Sequence, residues 1–106
     1  MDCGWYVNPD IIHAQVEGSI VMGLGAATMH QITFKDNVVE QHNFYDYQMS
    51  RINEIPPIEV YIIDNEADAG GVGEPGLPPF APALTNAIFD LTGKRIRTLP
   101  FSLSNV

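Results

Sequence analysis

Apolar residues recur along the first part of the chain at helical steps. Between Pro9 and about Met29, Ile12, Val16, Ile20 and Gly23 or Leu24 follow one another at three- and four-residue intervals, which predicts a helix. Asn8-Pro9 reads as its start, because an Asn side chain caps a first turn and Pro suits the first helical position. The opposite side of this helix is unusually small, with Ala14, Gly18, Gly25, Ala26 and Ala27. Each interior glycine costs roughly 0.5–1 kcal/mol relative to alanine. A helix carrying Gly18, Gly23 and Gly25 therefore needs something packed close to its backbone. Tight packing against another element meets that need, and so does a bound group lying on the face.

Beyond the helix the period changes. His30 to Lys35 alternates and reads as a strand, Asp36-Asn37 is a turn signal, and Val38 to Gln41 returns as the second strand of a hairpin. Phe44 to Met49 is aromatic-rich and reads as extended. Ile55-Pro56-Pro57 breaks the chain, after which Ile58 to Ile63 reads as a strand with Ile58, Val60 and Ile62 on one face. A loop rich in glycine, proline and acid follows from Asp64 to Pro79. Phe80 to Leu91 then predicts a second helix with Leu84, Ile88 and Leu91 inward and Gly93 as its C-terminal cap. Thr98 to Leu103 reads as a final strand. The expected class is α+β: two helices packed on a small mixed or antiparallel sheet, with residues 1–106 forming one unit.

Charge narrows the partners. The formal net charge is −8, and all thirteen acidic residues lie at or before Asp90, against only Lys35 and Arg51 in the same stretch. That balance disfavours nucleic acid and anionic membrane as partners of the main body. The run Lys94-Arg95-Ile96-Arg97 reads as a solvated helix end. Cys3 is the single cysteine, which leaves no internal disulfide and reads as a small buried apolar residue. His13, His30 and His42 are scattered without metal-ligand spacing, so no metal ligands are assigned to side chains. His13 and Glu17, one turn apart, read as a surface pair. No apolar run approaches the ~20 residues of a bilayer span, and no signal-peptide pattern follows Met1. The abrupt start at Asp2-Cys3-Gly4-Trp5 reads as a piece of a longer protein, and the compartment stays unassigned.

The segment Ala69 to Pro79 is the most unusual. Four glycines permit close backbone approach, and three prolines stiffen the exit. Glu74 sits where flexible chain meets rigid chain, held away from helical geometry by Pro75. A carboxylate so mounted suits a fixed general base, although composition alone favours an inert, solvated acidic turn. The loop lacks the Gly-Lys-Ser/Thr ending of a phosphate cradle and the spacing of a dinucleotide fingerprint.

Two segments taken together carry a resemblance. The first is Asp2-Cys3-Gly4-Trp5, Asn8-Pro9, Gln15-Val16-Glu17-Gly18 and Met22-Gly23-Leu24-Gly25. The second is Gly71-Val72-Gly73-Glu74-Pro75-Gly76-Leu77-Pro78-Pro79. In this order and at this separation they resemble the C-terminal molybdopterin-binding region of the xanthine dehydrogenase and aldehyde oxidase family. The form Gly-Glu-Pro-Gly-Leu-Pro-Pro is most similar to the isoquinoline 1-oxidoreductase large (beta) subunit.

The resemblance implies a fragment of a molybdenum hydroxylase large subunit, which oxidises an aldehyde or N-heterocycle with oxygen from water. It implies a molybdenum–pterin cofactor in the full enzyme, with Glu74 as the base. It implies that Gln15, Gly71, Val72 and Gly73 approach that cofactor. The expected partners are the rest of the large subunit and a small iron–sulfur subunit, since one cysteine cannot hold such clusters. The fragment alone is expected to be inactive and, carrying uncovered apolar surface, to self-associate. The alternative is a noncatalytic interaction domain that retains the family fold.

Overall fold

The computed structural model describes residues 1–102 and 104 of the chain. Its axis is helix α1, Pro9–Thr28. The Asn8 side chain accepts a hydrogen bond from the Asp10 amide at 3.0 Å, and Pro9 occupies the first turn, as the residues at that point predict. The helix ends where the Met29 and His30 amides both return to the Gly25 carbonyl at 2.8 Å. A side chain on Gly25 would overlap the His30 ring, which stacks at a tilt on Tyr47 with centroids 5.4 Å apart.

The N-terminal residues run beside the segment leading into the glycine loop. The Ile63 amide donates to Met1 O, the Trp5 amide to Ala67 O and the Gly70 amide to Cys3 O, each at 2.8 Å. Asn65 Nδ2 donates to Asp2 Oδ1 at 2.7 Å and Tyr6 OH to Asp64 Oδ1 at 2.7 Å. This pairing delivers the start of the loop to the N-terminal end of α1. The loop exits through Pro78-Pro79 into the second helix, α2, Phe80–Thr92. Gly93, in left-handed geometry at φ 73°, caps that helix through its amide bond to the Phe89 carbonyl, as expected. Phe80, its first residue, lies on Gly23 of α1, where an added Cβ would stand 2.7 Å from the Phe80 Cβ. The close neighbour that the interior glycines require is, at this position, a packed aromatic ring.

The α+β class and the antiparallel sheet are as expected. The sheet is small: β1, Phe34–Lys35, pairs with β2, Val38–Val39, across an Asp36-Asn37 turn in which both residues have positive φ. Several finer expectations are corrected. Ile58 to Ile63 keeps its alternation, with Ile58, Val60 and Ile62 half-buried and their neighbours exposed. It forms no ladder, however, only the parallel bridge between Asp2 and Ile63, because no second long strand lies beside it among the described residues. Phe44 to Met49 opens with a turn instead of an extended run. The Asp46 carboxylate closes it by accepting from the Asn43 and His42 amides at 2.9 Å, and these donors hold its carboxyl below the ordinary range.

Leu91 points outward, 86% exposed, while Ile88 is the buried residue of α2. The Lys94–Arg97 run falls after the helix, and the Arg95 guanidinium lies 3.4 Å above the centre of the Phe89 ring. Thr98 to Ser102 is not a strand, although the Phe101 amide donates to the Ala27 carbonyl at 3.0 Å; Leu103 lies outside the described residues.

Burial is sparse. Cys3, Ile12, Ala27 and Ile88 form the buried apolar set, so Cys3 takes the structural place expected of it. The accessible surface is 7899 Å². Area scaling for a compact chain of 11.7 kDa gives about 5,900 Å². The radius of gyration is 16.7 Å, against about 13 Å for a compact domain of this length. Trp5, Ile11, Met22, Phe44 and Leu91 all face solvent. A chain built this way has faces shaped to be covered.

Replacing Gly23 by Ala tests the helix contact. The helix gains up to about 1 kcal/mol of propensity, but the new methyl group collides with Phe80, an overpacking cost of about 1–3 kcal/mol. Net destabilisation of about 1 kcal/mol is expected in urea unfolding, and a more stable variant would show that the two helices do not meet there.

Candidate active site

The glycine loop lies along one face of α1, and the two enclose a cleft of about 340 Å³. From the helix it is lined by Ala14, Gln15, Gly18, Ser19 and Met22, and from the loop by Gly73, Glu74 and Leu77. The helical residues recur at three- and four-residue steps, so they share one side of α1. Two of them are too small to fill the space. An added Cβ on Gly18 would meet nothing within 4 Å, which leaves the helix backbone open to an approaching group.

The loop is held at its ends and touches the helix between them. Its start is tied by the Gly70–Cys3 backbone bond, and its exit is fixed where Phe80 docks on Gly23. Between these points an added Cβ on Gly73 would stand 3.7 Å from Gln15 Oε1. Glu74 opens a tight turn, with the Leu77 amide donating to its carbonyl at 3.0 Å. Pro75 takes the second position of that turn, where its fixed φ is favoured. The result is a carboxylate on a stiff corner, facing the same space as a primary amide. Among the described residues, no other side chain hydrogen-bonds to either the Gln15 amide or the Glu74 carboxylate, so both are free to meet a ligand.

The structure thus brings together Gln15, Gly73 and Glu74. It places Gly71 and Val72 elsewhere on the loop. Gly71 faces open space, and Val72 lines a separate, mostly apolar depression of about 220 Å³ with Cys3, Trp5, Tyr6, Val7, Ile12, Ala69 and Gly70. Ser19, Met22 and Leu77 line the cleft and were not singled out from sequence. The helical spacing from Gln15 to Met22 is the signal that reaches Ser19 and Met22, whereas Leu77 depends on the turn. Among the described residues no three His, Cys, Asp or Glu side chains converge as a metal site.

Comparison with known proteins identifies the family of the chain. A family model for the molybdopterin cofactor-binding domain matches residues 1–56, just over half of the chain. Isoquinoline 1-oxidoreductase subunit beta of Brevundimonas diminuta is 38% identical over 100 residues, covering 94% of this chain and 13% of that subunit. The aldehyde oxidoreductase molybdenum-binding subunit PaoC of Escherichia coli (strain K12) is 32% identical over 111 residues, covering 97% of this chain and 15% of that subunit. The crystal structure of quinoline 2-oxidoreductase from Pseudomonas putida 86 shares the fold with a TM-score of 0.84 at 21% identity, over 95% of this chain and 14% of that one. The chain spans less than a sixth of the length of these relatives. On these similarities the chain belongs to the molybdopterin cofactor-binding domain family, among the molybdenum-binding subunits related to xanthine dehydrogenase and aldehyde oxidase.

Proposed function

We propose that residues 1–106 are the C-terminal part of the molybdopterin-binding domain in a molybdenum hydroxylase large subunit, and that Glu74 is the catalytic base of that enzyme. The observation that carries the reading is the shared cleft of Gln15 and Glu74. The substrate is an aldehyde or an N-heterocycle, the classes named in the relatives. In the overall reaction the substrate carbon exchanges hydrogen for a hydroxyl from water, releasing two protons and two electrons. The electrons leave through a small iron–sulfur subunit, for which this chain's single cysteine provides no ligands.

The residues present fit the cofactor. The cleft volume lies within the ~300–1,000 Å³ common for small-molecule sites. Ala14 and Gly18 leave one wall flat, and Gln15 offers two donors and an acceptor at its rim. Gln15 and Gly73 would hold the group, while Gly71 and Val72, which lie outside this cleft, are not assigned to it. When bound, the molybdenum–pterin group supplies the two-electron redox chemistry. The chain's own part is proton transfer and placement. Glu74 takes a proton at a carboxylate oxygen, and the turn closed by the Leu77 amide fixes the backbone from which that side chain reaches into the cleft. Gln15 would present its amide to the bound group, and Met22 and Leu77 keep the adjoining wall apolar.

In the complete enzyme, Glu74→Gln keeps the shape and removes the base, so kcat is expected to fall by about 10²–10⁴-fold. Near-normal turnover would remove Glu74 from the mechanism and support a noncatalytic domain. Gly18→Ala separates folding from function. The isolated chain is expected to gain about 0.5–1 kcal/mol from the better helix former, because the new methyl meets no neighbour. The complete enzyme is expected to hold less molybdenum, because that methyl fills the open wall; full metal occupancy would count against a group lying there. The purified chain by itself is expected to show no aldehyde or N-heterocycle oxidation, and to self-associate through about 2,000 Å² of surplus surface. A concentration-independent monomer in sedimentation would contradict the second expectation.

A further inference from the structure

The turn that carries Glu74 rests on a second point of α1, one helical turn from Gln15. Ser19 is nearly buried, and its hydroxyl donates to the Val16 carbonyl at 2.7 Å. That bond fixes the Ser19 rotamer, since a serine bonded to the carbonyl three residues back has its side chain turned onto the preceding turn of helix. Gly76 closes directly on this hydroxyl. An added Cβ on Gly76 would overlap Ser19 Oγ and stand 3.2 Å from Ser19 Cβ and 3.6 Å from the Val16 carbonyl oxygen.

Gly76 is not among the residues of positive φ, so its backbone does not demand glycine. What demands it is the distance of closest approach. The loop therefore has two seats, Gly73 beside Gln15 and Gly76 against Ser19. Residues four apart on a helix stand about 6 Å apart along its axis. Glu74 and Pro75 span the interval between the seats, and the Leu77 amide locks the span from behind.

We propose that Ser19 is a positioning residue for Glu74: its hydroxyl, held by the Val16 carbonyl, is the stop on which Gly76 closes, and this stop sets where the Glu74 carboxylate lies opposite Gln15. Ser19 acts through Gly76 and the turn, and it moves no proton itself. The inference rests on the reading of Glu74 as the base.

A steric cycle in the complete enzyme tests it. Gly76→Ala pushes the turn off its seat, and a displacement near 1 Å in a catalytic group can cost on the order of 10²-fold. A fall in kcat of at least about tenfold is expected, with KM little changed. Ser19→Gly combined with Gly76→Ala removes both colliding atoms of the serine side chain and is expected to restore kcat close to that of Ser19→Gly alone. A readout independent of turnover is amide exchange at Leu77, which is expected to speed in Gly76→Ala and to slow again in the double variant. Unchanged kcat and exchange in Gly76→Ala, or no recovery in the double variant, overturns the proposal.

If Gly76→Ala does not fold, Ser19→Ala carries the test, because alanine favours the helix and only the stop is lost. Faster Leu77 exchange with a lower kcat supports the proposal, and no change in either overturns it. Glu74→Gln run beside the cycle separates the two ideas. Normal turnover in Glu74→Gln removes the base and this inference with it. An inactive Glu74→Gln beside an unaffected Gly76→Ala removes only the role of Ser19.

Discussion

Close approach to the backbone of α1 is the constraint on which the remaining structure depends. Phe80 can begin α2 against α1 only because Gly23 has no side chain, and His30 can fold back on the helix end only because Gly25 has none. The glycine loop obeys the same rule from the other partner, since Gly76 must be bare to close on Ser19. Each contact sacrifices helix or chain propensity of roughly 0.5–1 kcal/mol per glycine. What is obtained in return is a short distance, and short distances hold the acidic loop in a single place without a large core beneath it. The constraint is steric, so it is specific: one methyl group in the wrong position is enough to break it.

The thinness of the core follows from the same plan. With Cys3, Ile12, Ala27 and Ile88 as its buried apolar residues, the chain draws little stabilisation from burial at about 25 cal/mol per Å². Much of its order comes from backbone pairing instead, as between the first five residues and the segment from Tyr61 to Gly70. Exposed Trp5, Ile11 and Met22 lie on or beside α1, a helix whose apolar residues are spread around its axis, and from Ile20 to Ala27 it carries no charged or amide side chain. Such a helix is characteristic of one enclosed by protein all round. The relatives, each more than six times the length of this chain, are large enough to supply that enclosure.

What could be read in the residues and what could not divides along physical lines. Helix α1 was legible because capping and periodicity are local, and Asn8, Pro9 and the apolar steps lie within one stretch. Gly93 was legible for the same reason. Ile58 to Ile63 showed its true alternation, yet alternation describes a face and says nothing about a pairing partner, so the ladder was expected and only one bridge formed. Leu91 kept the helical step but has no surface to meet among the described residues. In the site, Glu74 stood out through its glycine and proline surroundings, whereas its pairing with Gln15 came from the family resemblance. The contact of Ser19 with Gly76 joins residues far apart in the chain, and neither type is unusual where it stands. Only the folding of the loop onto α1 brings them together.

Position and environment are separable requirements for a catalytic carboxylate, and under the proposed reading of Glu74 this chain supplies the first. The two seats on α1 and the turn closed by Leu77 determine where Glu74 stands, but they leave it facing solvent. In an open cleft a carboxylate is well hydrated, and its interactions are weakened by a high dielectric. Covering the cleft would remove that water and strengthen every charge interaction inside it, without moving the backbone that holds the residue. The surface that stabilises the chain by burying Met22 and the faces beside it would then be the same surface that dries the site. Under the proposed reading, completing the fold and activating the base are one event. Incomplete assembly would leave a correctly placed but weakly acting carboxylate rather than a misplaced one.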